Sequence, residues 1–181
     1  MHPRVLLTVL SFALAACAFI GPNAPSATAQ MVDANGQKIG QVRFQDTDTG
    51  TRITVRLIGL TPGRHGTHVH LNASCANTTD QNGNVLTFGG AGGHFDPMDS
   101  KRHGKPEHSE LEAHAGDVPN TTVDANHIGT MEFITRKLRV SGGTLSVIGH
   151  SVIVHASEDD HSTQPTGNSG GRVACGVILK E

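Results

Sequence analysis

Gly66-Thr67-His68-Val69-His70 places two histidines one residue apart around a β-branched valine. In a strand, residues i and i+2 share a face. His68 and His70 then present two imidazoles to one side, while Val69 points to the other. Two nitrogens fixed by the pleat make half of a rigid site for copper or zinc. The pair is a weak motif alone. It gains weight from a spaced set of further ligand-type residues: His94, His103, His114, Asp117, His155 and Asp159.

Outward from that segment, short alternating runs predict strands. Val42 and Phe44 alternate with Arg43 and Gln45, and Ile53, Val55 and Leu57 with Thr54 and Arg56. Met131, Phe133 and Thr135 alternate with Glu132, Ile134 and Arg136. Ser151 to His155 reads as a buried strand, and Val173, Cys175, Val177 and Leu179 mark the last one. Thr61-Pro62-Gly63 and Ser141-Gly142-Gly143 are turns. This spacing predicts an all-β fold, an antiparallel sandwich or barrel. Residues 72–120 break the pattern. They carry Gly89-Gly90-Ala91-Gly92-Gly93, little periodicity and four ligand-type residues. So long a stretch without periodicity points to function, with metal supplying the order that a hydrophobic core does not. A second polar loop runs from Ala156 to Gly171.

The 181 residues suffice for one domain with its own core. Aromatics are 3% of the chain, with no Trp or Tyr, so the core rests on Val, Ile, Leu and six Phe. A net charge of -2 gives no bulk attraction to nucleic acid or to an anionic membrane. Twelve histidines are many, and most lie between His65 and His161. His65 reads as a hydrogen-bonded residue at a strand end, and His127, His150 and His161 as surface or loop residues.

The N-terminus predicts export. Arg4 precedes the mostly apolar run Val5 to Ile20, and Gly21-Pro22 follows. Two processing points compete. Ala27-Thr28-Ala29 before Gln30 has the small-x-small form of an ordinary cleavage site, and Leu14-Ala15-Ala16-Cys17 resembles a bacterial lipobox that would leave a lipid on Cys17. Residues 21–30, rich in Pro, Ala, Ser and Asn, read as a disordered connector. The division is thus 1–29 for signal and connector (1–16 if lipidated) and 30–181 for the folded domain. Cys75 and Cys175 are an even pair for an oxidising compartment. A disulfide between them would close a loop of about a hundred residues, worth on the order of 4–5 kcal/mol in the chain-entropy treatment. Two free buried thiols are the other reading.

With these residues in hand, the chain resembles the copper/zinc superoxide dismutase family in its exported bacterial form, over residues 31–181. Gly66-Thr67-His68-Val69-His70 is similar to the strand that carries the first two copper ligands. Ala91-Gly92-Gly93-His94-Phe95-Asp96-Pro97 resembles the segment of the bridging histidine. His103-Gly104-Lys105-Pro106 and His114-Ala115-Gly116-Asp117 resemble the zinc loop. Val152-Ile153-Val154-His155 resembles the strand ending in the last copper ligand, and Gly170-Gly171-Arg172-Val173-Ala174-Cys175-Gly176-Val177-Ile178 the C-terminal motif.

The resemblance implies a Greek-key antiparallel β-barrel or sandwich with long metal-binding and active-site loops. It implies copper on His68, His70, His94 and His155, and zinc on His94, His103, His114 and Asp117. Asp159 would link a copper histidine to a zinc histidine. Arg172 would guide the anion, with His94 shuttling a proton. A Cys75–Cys175 disulfide would tie the ligand loop to the strand presenting Arg172. The implied reaction is disproportionation of superoxide to oxygen and hydrogen peroxide, in the periplasm or cell envelope, by a monomer or homodimer. There are departures. The segment between His155 and Arg172 is shorter than in animal enzymes, whose steering lysines have no counterparts here. Glu107, Glu110 and Glu112 leave the zinc-loop register open, with His108 as a replacement ligand. The alternative function is a non-catalytic exported copper/zinc-binding or metal-buffering protein of the same fold. A cupin is rejected, because Leu71-Asn72-Ala73-Ser74-Cys75 follows the histidine pair without the glutamate a cupin needs.

Overall fold

A computed structural model describes residues 24–181. The export-signal segment Arg4 to Ile20, and Cys17 with it, lies outside the described residues. Eleven strands follow one another: β1 (Ser26–Asp33), β2 (Lys38–Thr47), β3 (Gly50–Ile58), β4 (Gly63–His65), β5 (Thr67–His70), β6 (Thr78–Thr79), β7 (Val85–Leu86), β8 (Thr121–Val123), β9 (Ile128–Thr135), β10 (Ser151–His155) and β11 (Arg172–Lys180). A single 3-10 turn, Gly89–Ala91, is the helical element among the described residues.

Nine strands form one antiparallel sheet in the order β4-β8-β9-β3-β2-β1-β11-β10-β5. Its two edge strands, β4 and β5, are consecutive in the chain with only Gly66 between them. The sheet therefore curls until its edges nearly meet, giving a nearly closed barrel that leaves little unpaired backbone. Crossovers put sequence-distant strands side by side, so β5 pairs with β10 and β1 with β11.

Period-two burial builds the interior. Ala27, Ala29 and Met31 of β1, Val42 and Phe44 of β2, and Ile53, Val55 and Leu57 of β3 are all buried. Each alternates with more exposed neighbours, as a half-buried sheet requires. Two readings from sequence need correction. The segment 21–30 is not wholly a connector: β1 starts at Ser26 and pairs with both β2 and β11. Small residues hid this strand, because alanines at 27 and 29 look like linker composition although they fill a crowded wall. The last strand also presents a different face. Ala174, Gly176 and Ile178 are buried, while Leu179 is 66% exposed. Gly176 is there because a Cβ would come within 2.7 Å of the Gln30 carbonyl and the Met31 sulfur. Cys175 faces outward into a smaller cluster with Phe88, Ala91 and Ile153.

Cys175 and Cys75 form a disulfide across 100 residues of chain. It fastens the loop after β5 to β11. Loop closure of that size stabilises by roughly 4–5 kcal/mol in the chain-entropy treatment. Within the loop, β6 and β7 make a small hairpin of their own.

Candidate metal centre

β5 delivers His68 and His70 to one side at the edge of the barrel, and both are buried. β10 lies beside it, with Ile153 opposite His68 and Ser151 opposite His70. β10 ends in His155, which is paired across to Arg172, the first residue of β11. The long loop returns along the free edge of β5 through two isolated bridges, His70 to His94 and His68 to Asp117. Backbone pairing alone thus gathers residues spread over half the chain.

Four histidines converge: donor atoms of His68, His70, His94 and His155 all lie within 4.8 Å of one another. One nitrogen of each ring is already held by an oxygen. His70 Nδ1 donates to the Gly92 carbonyl at 2.9 Å, and His155 Nδ1 to that of Gly170 at 3.1 Å. His68 Nε2 donates to Asp159 Oδ2 at 2.8 Å. His94 Nδ1 lies 2.8 Å from Asp117 Oδ1. The other nitrogens, His68 Nδ1, His70 Nε2, His94 Nε2 and His155 Nε2, are buried without a hydrogen-bond partner. Four orphaned lone pairs in one buried pocket would be costly unless a cation fills it. An all-imidazole set suits copper.

A second cluster shares His94. Nδ1 atoms of His94, His103 and His114 lie 2.8, 3.1 and 3.4 Å from a single oxygen, Asp117 Oδ1. Three imidazoles and one carboxylate are a zinc donor set. Donor atoms of His68 also fall within reach of His94, His103 and Asp117. His114 stands beside this set, with Nδ1 3.4 Å from Asp117 Oδ1. The Nε2 of His68 is committed to Asp159, whereas Nδ1 of His114 is buried, unpartnered and directed at Asp117. Glu107, Glu112 and His108 stand exposed to solvent and Glu110 half-exposed, so none of them joins the buried cluster.

Charge among these groups follows the same partition. Burial, and then neighbouring His94, push His68 and His70 well below their ordinary pKa. Burial lowers His155 to about 4. These rings are neutral at physiological pH and compete with no proton for a metal. His103 behaves oppositely. Burial disfavours its charge, but Asp117 on one nitrogen and Asp159 on the other outweigh that and raise it to about 9. Burial raises Asp117 too, yet the surrounding imidazoles hold it far below the carboxylate range. Zinc would therefore displace a proton from His103 and leave the carboxylate's charge in place.

Asp159 joins the two clusters from behind, with Oδ2 on His68 Nε2 and Oδ1 on His103 Nε2, both at 2.8 Å. Gly167 makes room for it, since a Cβ there would fall 1.7 Å from Asp159 Oδ1. Two supporting residues escaped the sequence reading. Asn120, a buried residue, clasps the Asp159 backbone through both ends of its amide. His161, read as a surface or loop residue, does lie in a loop, with Nδ1 buried 3.2 Å from Asp159 Oδ2. Their sequence offers no signal beyond proximity to Asp159, because both act through a fold that places 120 beside 159. His65 does end a strand, with both ring nitrogens on carbonyls, of His155 and Thr61, at 2.8 Å each.

Arg172 stands at the mouth. Its guanidinium donates to the carbonyls of Phe88 at 2.7 Å and Gly92 at 2.6 Å. It borders an open cleft of about 560 Å³ whose floor is largely glycine, including Gly92, Gly93, Gly170 and Gly171.

Comparison with known proteins agrees with this geometry. The family described as Copper/zinc superoxide dismutase (SODC) matches residues 38–178. Superoxide dismutase [Cu-Zn] of Deinococcus radiodurans is 40% identical over 174 residues, covering 96% of this chain and 94% of that protein. The enzyme of the same name from Photobacterium leiognathi is 37% identical, covering 96% of each. Among solved structures, Cu/Zn superoxide dismutase from Brucella abortus superposes with a TM-score of 0.75 at 32% identity, covering 85% of this chain and 99% of that one. A SOD-like protein from Bacillus subtilis reaches 0.70 at 30%, covering 84% and 97%. With the matched segment spanning most of the chain, and two adjoining histidine clusters that fit it, the chain belongs to the copper/zinc superoxide dismutase family.

Proposed function

We propose that this protein dismutates superoxide, taking two superoxide anions and two protons to one oxygen and one hydrogen peroxide. His68, His70, His94 and His155 would hold copper, and His94, His103, His114 and Asp117 zinc. The observation that carries the reading is the set of buried, unpartnered ring nitrogens, one on each of His68, His70, His94 and His155. When bound, copper supplies one-electron chemistry and zinc the positive charge that keeps the shared imidazole in place.

The chain's own groups do the rest. Arg172 is permanently charged and draws a small anion toward the mouth without offering a proton. Field focusing of this kind raises association rates tenfold to roughly a thousandfold. Its fork is held by two carbonyls, so the cation is aimed rather than mobile. His94 has one nitrogen turned to each cluster. Its Nε2 is the atom at which a proton is held and released, while Nδ1, on the side of Asp117 and the zinc set, keeps the ring from turning. Asp159 orients His68 and His103 together, so a change at one cluster is felt at the other. Burial of the histidines keeps most bulk water from the site.

Export to an oxidising cell-envelope compartment is part of this proposal, supported by the Cys75–Cys175 disulfide and the apolar N-terminal run. Strand β1 bears on processing. Cleavage after Ala29 would remove Ser26 to Ala29 from the barrel wall, including two fully buried alanines. Processing at Cys17, leaving a lipid anchor, keeps the whole strand and is the route favoured here.

The non-catalytic, metal-buffering reading makes a different prediction for binding. Equilibrium titration of the metal-free protein is expected to give one copper and one zinc per chain, with His155→Ala losing copper and keeping zinc. A chain that takes zinc alone, or one that binds both metals without accelerating superoxide decay, would support the non-catalytic reading instead.

A further inference from the structure

The surroundings of Asp159 assign a role to His161. The amide of Asn120 is the starting point. Its Oδ1 accepts the Asp159 backbone N–H at 2.8 Å, and its Nδ2 donates to the Asp159 carbonyl at 3.0 Å. An amide pinned by a donor and an acceptor has one orientation. The same Nδ2 lies 3.2 Å from Nε2 of His161. An amide nitrogen offers only hydrogens, so this Nε2 is the acceptor and the proton of the neutral ring sits on Nδ1. That Nδ1 is buried 3.2 Å from Asp159 Oδ2, within electrostatic reach but out of line for a hydrogen bond, and has no other partner. The backbone helps: His161 has φ 55°, and its N–H donates to the other carboxylate oxygen, Oδ1, at 2.7 Å. Residue 161 is thus folded around the carboxylate, main chain on one oxygen and ring on the other.

We propose that His161 is a positioning residue for the metal centre, sharing the charge of Asp159 Oδ2 with His68 and so setting how strongly His68 donates to copper. The inference rests on the assignment of His68 to copper. Its physical basis is competition for one oxygen. His68 Nε2–H donates to Oδ2 at 2.8 Å, and the His161 Nδ1–H places its partial positive charge 3.2 Å from the same atom without forming a hydrogen bond. Without the second N–H, the oxygen polarises His68 alone. The ring becomes more electron-rich, and an electron-rich ligand favours Cu(II) over Cu(I).

A different role is also within reach of the geometry, since His103, Asp159 and His161 lie close enough to hold a cation of their own. The tautomer of His161 argues against it, since Nε2 is taken by Asn120. His103 Nε2 and Asp159 Oδ1 are bonded to each other, and a protonated Nδ1 has no lone pair to give.

Two variants separate these roles. His161→Gly removes the ring, keeps the backbone N–H and accepts φ 55° without strain. His161→Asn also tolerates that backbone and carries an N–H donor near the place of Nδ1. The copper reduction potential of each is measured by redox titration in protein loaded with copper and zinc, together with metal content. In the glycine variant the Cu(II)-to-Cu(I) affinity ratio is expected to rise about three- to tenfold, a fall of roughly 30–60 mV at 59 mV per tenfold. The asparagine variant is expected to recover at least half of that shift, with two metals per chain throughout. An unchanged potential in the glycine variant, or an asparagine variant no nearer to wild type, would overturn the proposal. A third metal equivalent in the wild type, lost in both variants, would make His161 a ligand instead. A wild-type protein that takes up no copper would overturn the ligand assignment itself, and this inference with it.

Discussion

Arg172 and His70 are held by one carbonyl oxygen, that of Gly92, which accepts from the guanidinium at 2.6 Å and from the imidazole at 2.9 Å. The cation and a proposed copper ligand therefore keep a fixed spacing, set by one peptide group of the glycine-rich loop. The Phe88 carbonyl holds the other arm of the fork. Reversing the charge, Arg172→Glu, is expected to slow superoxide decay by at least about tenfold through lost steering, with copper still bound. Arg172→Lys is expected to fall between, because a lysine carries the charge but not the two-pronged fork. Raising salt should slow the wild type and leave the glutamate variant nearly flat or faster. A glutamate variant as fast as wild type would remove Arg172 from the mechanism.

Asp46 predicts an acid-sensitive step in stability away from the metals. Its carboxylate accepts from the Thr51 hydroxyl and from the backbone N–H groups of Val140 and Ser141. Burial raises its pKa, but those donors outweigh burial and hold it below the ordinary value. A carboxylate with a depressed folded-state pKa contributes fully above its unfolded value, and that stability is lost as pH falls through the folded one. Thermal unfolding of Asp46→Asn at neutral pH is expected to show a loss of roughly 1.5–3 kcal/mol, the range for hydrogen bonds to a charged group. The variant's stability should also decline less than the wild type's as pH falls from about 5. Parallel acid limbs for the two proteins would contradict this reading.

Strand β1 predicts the mature N-terminus. Ser26 to Ala29 pair with β2 on one side and, from Ala27, with β11 on the other. A protein cut after Ala29 would lose those ladder bonds, at about 1 kcal/mol each, and the burial of Ala27 and Ala29. Mass spectrometry of the exported protein is expected to find a chain that begins upstream of Ser26, with a diacylglyceryl mass on Cys17. A mature chain beginning at Gln30 would show that β1 tolerates the loss.

The barrel and most of the site were legible from sequence, and for physical reasons. His68 and His70 are readable because strand period fixes their common face without any tertiary information. The alternation at Ile53, Val55 and Leu57 is readable because one side of β3 is buried along its length. Ala27 and Ala29 were not, since small residues in a tight wall look like those of a linker. The interior face of β11 was misjudged for a related reason: Gly176 and Ala174 are small because β1 packs close to them, and Cys175 is turned outward by its disulfide. His161 and Asn120 were invisible because their roles depend on one hydrogen-bond network between loops thirty-nine or more residues apart.

The most direct test is superoxide decay catalysed by the exported protein, disulfide intact, loaded with one copper and one zinc. The account predicts fast, catalytic decay that disappears when copper is selectively removed and returns when it is restored. Confirmed copper on the four-histidine site with no acceleration of decay would contradict it.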